Sequence, residues 1–227
     1  MKSIVERLTI IKEEMHEFES RYGREPDSVK LLAVSKTKPL AAIQAAHAAG
    51  QRDFGENYLQ EALEKIENTQ DLPLIWHFIG PVQSNKTKQI ASHFDWCHSV
   101  DRLKIAQRLS DARPEHLPPL NICIQVNISG EASKSGIDPD GLDALVADIS
   151  GLKGIALRGL MALPQPEEGL ASQRAACHAL LELFDKLRGI VPGIDTLSMG
   201  TSADFEAAIA EGSTLVRVGT ALFGPRE

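Results

Sequence analysis

Eight short apolar segments alternate with helical segments along this chain of 227 residues. Each apolar segment has the length of a buried strand, and the segments between them carry apolar residues at helical spacing. The predicted strands are residues 31–36, 53–57, 74–79, 96–100, 120–127, 155–161, 196–199 and 214–218. This alternation favours a parallel (β/α)8 TIM barrel. An open doubly wound sheet is the competing architecture, but no GxGxxG motif follows the first strand.

An additional amphipathic helix is predicted before the first strand. Ile4, Leu8 and Ile11 recur at helical spacing, with charged residues between them. The sequence predicts no helix after the eighth strand, and the N-terminal helix could cover that gap. We therefore expect an α/β chain with one barrel domain over residues 1–227, on which the helix within residues 1–21 packs.

Composition limits where the chain works and what it binds. The net charge of −7 offers no general attraction to nucleic acid or to anionic membranes, so an anionic ligand needs a local site. Cys97, Cys123 and Cys177 form no CxxC pair and suggest neither a disulfide framework nor a zinc site. No signal-peptide core or membrane-length apolar run is present, and we expect a cytoplasmic protein.

In a TIM barrel, functional side chains gather where the strands end at their carboxyl side. Here these ends are rich in lysine, amide, hydroxyl and glycine residues and poor in carboxylates. They include Lys36, Glu56–Asn57, His77, Gly80–Lys86, His98–Asp101, Asn127, Ser133–Gly136, Met161, Ser198–Ser202 and Arg217–Thr220. Such a mouth suits a phosphorylated ligand in spite of the acidic net charge.

Two of these segments are suited to phosphate. Ser198–Ser202 leads from the seventh strand into a helix, so its hydroxyl and N–H groups are expected to converge on a helix N-terminus. Gly219 and Thr220, after the eighth strand, add close backbone approach and a hydroxyl. Barrels often bind phosphate between these two loops.

Several polar residues have a structural interpretation beside the functional one. Lys36 could be a solvated residue at a strand end. Arg217 stands within a strand that should be apolar, where it needs either a carboxylate or a ligand as its partner. His77 is more often a satisfied core histidine than a base, and Asn57 could cap a loop.

Six motifs, in order along nearly the whole chain, resemble the pyridoxal phosphate homeostasis protein family. They are Ala33–Lys38, Phe54–Tyr58, His77–Lys86, Lys134–Gly136, Leu197–Gly200 and Val216–Thr220. The resemblance implies a barrel like the N-terminal domain of alanine racemase, with pyridoxal 5′-phosphate (PLP) bound as a Schiff base on Lys36. Thr201 departs from the family, in which many members carry methionine, and this difference affects the expected lining of the ring pocket.

The resemblance also implies the site residues. Arg217 would face the pyridine nitrogen, and Ser202, Gly219 and Thr220 would bind the phosphate with the backbone near Gly200 and Thr201. The cofactor-binding residues predicted in this way are Lys36, Asn57, Met199, Gly200, Thr201, Ser202, Arg217, Gly219 and Thr220. The sequence leaves open whether Lys38, Lys86 or Lys134 forms a second PLP site.

The function implied is intracellular homeostasis of this form of vitamin B6, without turnover and without an assigned catalytic residue. Arginine at the pyridine nitrogen keeps its proton and leaves the ring a weak electron sink. The chain stops at Glu227, just after the eighth strand, and the second domain that a racemase needs is not expected. The expected partners are PLP and apo PLP-dependent enzymes that accept it, with no nucleic acid, membrane or metal, and the chain is expected to be a monomer. A small PLP-dependent racemase, with His77 or a tyrosine as second base, and a Schiff-base aldolase acting on a sugar phosphate are the alternatives.

Overall fold

A computed structural model of the chain describes residues 2–130 and 135–225. Within these residues, eight parallel strands form a closed barrel in which each strand pairs with the next and β8 pairs with β1. The strands are β1 (Lys30–Val34), β2 (Asp53–Glu56), β3 (Ile75–Phe78), β4 (Trp96–Val100), β5 (Leu120–Gln125), β6 (Ile155–Met161), β7 (Thr196–Thr201) and β8 (Leu215–Val218). The predicted fold class is confirmed.

Helices connect the strands on the outside of the barrel. They are α1 (Ile4–Arg21), α2 (Leu40–Ala48), α3 (Leu59–Glu67), α4 (Thr87–His93), α5 (Leu103–Ala112), α6 (Leu142–Ile149), α7 (Leu170–Ile190), α8 (Phe205–Ala210) and α9 (Thr220–Phe223), with a 3-10 turn at Pro139–Gly141 before α6. Because both faces of each strand are covered, the strands carry nearly continuous apolar residues. Leu32, Phe54 and Phe78 are among the largest fully buried side chains.

The N-terminal helix begins and packs as its sequence predicts. Ser3 and Glu6 form a capping box, which satisfies free N–H groups of the first turn. Leu8, Ile11 and Met15 are buried, and α1 contacts α2, α8 and α9. The last of these contacts corrects a prediction, since β8 is followed by the short helix α9.

Five strand ends near the mouth differ from the prediction by one or two residues, and those of β1 and β7 lie beside predicted site residues. The first strand ends at Val34 rather than at residue 36, although the Ser35 amide still donates to the Gly55 carbonyl at 3.0 Å. The seventh strand continues to Thr201, because bulged pairing with β8 extends the ladder beyond Met199. As a result, Gly200 and Thr201 belong to the strand rather than to the loop that follows it.

The described residues contain neither a candidate membrane-spanning helix nor a candidate metal site. No helix in residues 2–130 and 135–225 has the length and apolar composition that a membrane crossing needs. Within the same residues, no group of three or more His, Cys, Asp or Glu side chains is placed to bind a metal ion.

Candidate cofactor site at the carboxyl mouth of the barrel

A cavity of about 490 Å³ opens at the carboxyl ends of the strands. Its lining collects residues that follow β1, β2, β7 and β8, which lie far apart in the sequence. Seven of the predicted site residues line it, namely Lys36, Asn57, Thr201, Ser202, Arg217, Gly219 and Thr220. The fold therefore brings the amine, the guanidinium and the expected phosphate-binding groups to one place.

Two predicted site residues do not line this cavity. Met199 is fully buried and belongs to the hydrophobic core. Gly200 has a φ of 94°, and a Cβ at this position would lie 2.6 Å from the Cβ of Ala208. Glycine is therefore needed for close packing of β7 on α8. Met199 and Gly200 thus pack in the protein interior next to the residues that line the cavity.

Lys36 is half-buried, two residues beyond the end of β1. The next residue, Thr37, has a φ of 62°, in the left-handed region that residues other than glycine seldom adopt. Its amide donates to Glu61 Oε1 on α3 at 2.6 Å. A carboxylate outside the barrel thus holds the turn that directly follows Lys36.

A buried ion cluster lies behind this turn. Lys65 Nζ donates to Glu56 Oε1 at 2.8 Å, to Glu61 Oε1 at 2.5 Å and to a backbone oxygen, the Ser35 carbonyl, at 2.8 Å. Ser35 Oγ donates to the same Glu56 oxygen at 2.6 Å. Burial raises the pKa of Glu56, and the nearby Lys65 opposes that rise. The cluster therefore fixes the backbone on both sides of Lys36.

This cluster changes the place expected for Glu56. The sequence grouped Glu56 with the polar residues of the mouth, but its side chain points outward from β2 to Lys65 on α3. Successive residues of a strand face opposite sides, and the inward side at this level belongs to Gly55, which meets Leu32 and Ile79. No carboxylate among the described residues lines the mouth cavity.

Arg217 is buried in β8 and lines the cavity from inside the barrel. Its Nη1 donates to the Ser198 carbonyl at 2.7 Å and to the Ser198 hydroxyl at 2.8 Å, and its Nη2 donates to the Ala162 carbonyl at 2.8 Å. Neutral oxygens satisfy the guanidinium, so the predicted alternative of an ion pair with a barrel carboxylate is wrong for the described residues. Burial lowers the pKa of Arg217 to about 10, which leaves it protonated near neutral pH.

Ser202 connects the loops after β7 and β8. Its Oγ accepts hydrogen bonds from the amides of Gly219 at 3.3 Å and Ala221 at 3.4 Å. Because both lone-pair directions are used in this way, the hydroxyl proton points away from the two amides. The two loops are thus joined at one side of the cavity, where the Ser202 hydroxyl is a donor.

Thr201 is arranged differently from Ser202. Its amide and its hydroxyl both donate to Asp204 Oδ1, each at 2.6 Å. The hydroxyl is therefore already used in capping the turn before α8. The helix that follows this segment begins at Phe205, and Asp204 is its N-cap.

Asn57 contributes an unsatisfied acceptor. Its Oδ1 is buried and has no hydrogen-bond partner among the described residues. The residue is held in place because Gly80, on the next loop, packs directly against its carbonyl, where a Cβ would overlap. A buried unpaired amide oxygen costs free energy and is suited to a ligand that carries a donor.

Known proteins share the sequence and the fold of this chain. The family model described as alanine racemase, N-terminal domain, matches residues 8–227. A Pseudomonas aeruginosa protein named pyridoxal phosphate homeostasis protein is 60% identical over 227 residues, which span 100% of this chain and 97% of that protein. An Escherichia coli protein of the same name is 52% identical over 230 residues, spanning 100% of this chain and 98% of the relative.

The chain belongs to the pyridoxal phosphate homeostasis protein family. Among solved structures, PipY of Synechococcus elongatus with PLP bound is 40% identical and superposes with a TM-score of 0.84. The match covers 98% of this chain and 100% of that chain. Membership of this family confirms the resemblance inferred from the six motifs.

Sequence reasoning missed part of the supporting structure. His98 and Ser198 were read as residues of the mouth, but their side chains lie inside the barrel and bond to each other at 2.9 Å. Lys65 is not among the predicted site residues. Alternation along each strand assigns His98 and Ser198 to an inward face, yet their contact depends on which strands are brought opposite each other. Ser133 and Lys134, which are also predicted at the mouth, lie outside the described residues.

Proposed function

We propose that this chain binds PLP covalently through Lys36 and buffers and delivers the cofactor as an intracellular PLP homeostasis protein. The observation that carries the proposal is that Lys36, Arg217 and Ser202 line one carboxylate-free cavity among the described residues. The relatives named above and the PLP-bound PipY structure support the same ligand. The proposal treats residues 1–227 as one PLP-binding domain.

The residues of the cavity fit the functional groups of PLP. The amine of Lys36 condenses with the aldehyde carbon, forming a C=N bond with release of water. Arg217 faces the pyridine nitrogen, while Ser202, Gly219 and Thr220, with the backbone near Gly200 and Thr201, bind the phosphate. Asn57 offers its unpaired Oδ1 to a donor of the ligand, and Met199 supports the ring pocket. The positive charge of the lining matches a phosphate, which carries up to two negative charges.

The lining also favours storage over turnover. Bound PLP supplies an electron sink, which is strongest when its pyridine nitrogen is protonated. Arg217 stays protonated and donates, so it does not provide that proton. The described lining residues include no histidine, tyrosine or carboxylate that could serve as a second base beside Lys36. Racemisation needs a second base on the opposite face of the ring, and His77 faces the other end of the barrel.

The proposed partners follow from this use of the site. The acceptors are apo PLP-dependent enzymes in the cytoplasm, and the carrier works as a monomer. The reversible C=N bond allows transfer, since hydrolysis returns the free lysine and the free aldehyde. Neither nucleic acid nor a membrane is part of this proposal, and no metal is needed.

Borohydride reduction followed by peptide mass spectrometry tests the assignment. Protein incubated with PLP and then reduced should carry a pyridoxyl group on Lys36. The matched control is Lys38→Ala, because Lys38 lies on the same loop but donates to the Pro225 carbonyl at 2.6 Å. The pyridoxyl adduct and the absorbance band of the Schiff base should both be lost in Lys36→Ala and retained in Lys38→Ala. An adduct elsewhere, or none, contradicts the proposal and reopens the aldolase alternative.

Exchange of the amino-acid α-proton tests the claim of no turnover. Incubation with PLP-loaded protein in D₂O should leave alanine and other free amino acids without deuterium at the α-carbon beyond the level seen with free PLP. Exchange at enzymatic rates that is lost in Lys36→Ala would instead show a racemase-like enzyme.

A further inference from the structure

A chain of side-chain hydrogen bonds crosses the inside of the barrel and ends on Arg217. At the opposite opening, Asp53 Oδ1 lies 3.1 Å from His77 Nε2. His77 Nδ1 lies 2.9 Å from His98 Nε2, and His98 Nδ1 lies 2.9 Å from Ser198 Oγ. The Ser198 oxygen accepts from Arg217 Nη1 at 2.8 Å. Four strands contribute these groups in addition to β8, which carries Arg217.

Burial separates the middle of this chain of bonds from water. His77, His98 and Ser198 are at most 1% exposed. Burial lowers the pKa of both histidines, that of His98 well below its ordinary value. Both imidazoles are therefore neutral near pH 7, and each has one donor and one acceptor nitrogen.

The charged groups around His77 and His98 do not change the neutral state of the two imidazoles. Asp53 and Asp95 raise the pKa of His77, but burial outweighs them, and Lys30 lowers it further. Arg217 and His77 lower the pKa of His98. His77 also stacks on the Trp96 ring at 5.5 Å, which fixes the plane of its imidazole.

The Asp53 carboxylate determines the direction of the bonds. It can only accept, so His77 carries its proton on Nε2, and its Nδ1 accepts from His98 Nε2. His98 Nδ1 then has no proton and accepts from the Ser198 hydroxyl. A guanidinium can only donate, so the Ser198 oxygen accepts from Arg217 Nη1 at the same time. The reverse order would set a nitrogen lone pair of His77 against the carboxylate.

We propose that Ser198, His98 and His77 are positioning residues that connect Arg217 to Asp53 and hold the guanidinium in place at the cavity. Each donor points away from Arg217, so the Asp53 carboxylate polarises the chain toward a more negative Ser198 oxygen. Arg217 is thus stabilised by a distant carboxylate without an ion pair at the mouth. That it contacts the PLP ring there rests on the proposed function.

Histidine tautomers test the arrangement without any cofactor. Two-bond ¹H–¹⁵N spectra of the PLP-free protein at pH 7 should show both His77 and His98 as neutral Nε2–H tautomers, with signals assigned from His77→Asn and His98→Asn. Exposed His116 serves as the internal reference for a solvated ring. An Nδ1–H tautomer or an imidazolium at either buried histidine would overturn the proposal.

PLP affinity tests the effect on Arg217. Ser198→Ala removes the hydroxyl, and His98→Leu removes its acceptor, so each should raise the PLP dissociation constant about 3- to 10-fold. His98→Asn places an amide oxygen near the position of Nδ1 and should recover most of the affinity lost in His98→Leu. His116→Asn is the surface control.

Two outcomes of the affinity test contradict the proposal. One is wild-type affinity in both Ser198→Ala and His98→Leu, and the other is equal loss in His98→Asn and His98→Leu, which would indicate packing alone. Ser198→Ala loses few atoms, so it remains informative if His98→Leu does not fold. Failure of the proposed function would appear separately, as absence of the Lys36 adduct in wild-type protein while the tautomer result stands.

Discussion

Each opening of the barrel contains a lysine and an arginine, but described carboxylates accompany these cations at only one opening. The carboxyl mouth holds Lys36 and Arg217 in a cavity of about 490 Å³ that no described carboxylate lines. The amino-terminal opening holds a smaller cavity of about 190 Å³. There Lys30 and Arg158 are accompanied by three carboxylates, Asp27, Asp53 and Asp195.

Arg158 and Arg217 show what this difference means. Arg158 pairs with Asp195, donates to Asn121 at 2.8 Å and lies over the Trp96 ring at 5.1 Å. Its charge is neutralised where it stands. Arg217 is satisfied by uncharged oxygens, so its positive field extends into the cavity. Pairing makes a charge structural, whereas solvation by neutral groups leaves it available to a ligand.

The largest effect is expected where charges near the mouth are both paired and buried. Lys65→Met would leave Glu56 without its cation, and we expect a loss of about 3–5 kcal/mol in the free energy of unfolding. Urea titration measures it, with exposed Lys104→Met as the control. The double variant Lys65→Met/Glu56→Gln should recover part of the loss. A change below 1 kcal/mol in the single variant would mean that water solvates this cluster.

The buried histidines between the two openings should make stability depend on pH. The pKa of His98 is lower in the folded chain than in the unfolded chain, where it is about 6.5. Below that pH the unfolded chain takes up a proton that the folded chain excludes, so stability falls as pH falls. We expect His98 to account for ~2 kcal/mol of loss between pH 7 and pH 5.

Urea titrations of wild type and His98→Asn at both pH values isolate this effect. The variant should lose less stability on acidification, because it lacks the titrating group in both states. Glu56, whose pKa is raised on folding, acts in the opposite direction in both proteins and cancels in the difference. Equal losses in the two proteins would show that His98 is protonated in the folded chain.

Two neighbouring hydroxyls at the mouth should differ in their effect on PLP affinity. Ser202→Ala removes a hydroxyl whose proton points away from the Gly219 and Ala221 amides, and we expect about tenfold weaker binding, ~1.4 kcal/mol. Thr201→Val removes a hydroxyl already bonded to Asp204, so its loss of affinity should be smaller. Titration of PLP absorbance measures both. The reverse order would mean that Thr201 turns to the phosphate when PLP binds.

The smallest effect is expected at the amino-terminal opening. Asp195→Asn breaks the ion pair with Arg158. The Arg158 side chain is 33% exposed and the Asp195 side chain is 51% exposed. Exposed pairs contribute about 0–1 kcal/mol, and the free energy of unfolding should fall within that range. PLP affinity should stay at the wild-type value. A clear loss of affinity would show that the two openings are coupled through more than the Asp53 chain.

Much of the mouth was predictable from the sequence. Alternation of strands and helices predicts the barrel, and a barrel assigns strand-end residues such as Lys36 and Ser202 to one opening. Motif resemblance added the family, which the comparisons confirm. The ends of β1 and β7 were less predictable, because strand ends depend on pairing with neighbours rather than on local pattern.

The supporting contacts were not predictable in the same way. Glu56 and Lys65 are nine residues apart, but only the packing of α3 on β2 shows that they form a pair under Lys36. His98 and Ser198 are one hundred residues apart and bond inside the barrel.

The sequence by itself determined the order of elements, the family and the cations that the mouth would carry. Periodicity, turn residues and motifs are local properties, and they suffice for that much. Only the tertiary structure decided which charges are paired and which are not, because closing the barrel sets strand register and brings distant side chains within hydrogen-bond distance. That closure keeps Arg217 beyond ion-pair distance from every described carboxylate, and it links the same residue to Asp53 through Ser198 and the two histidines.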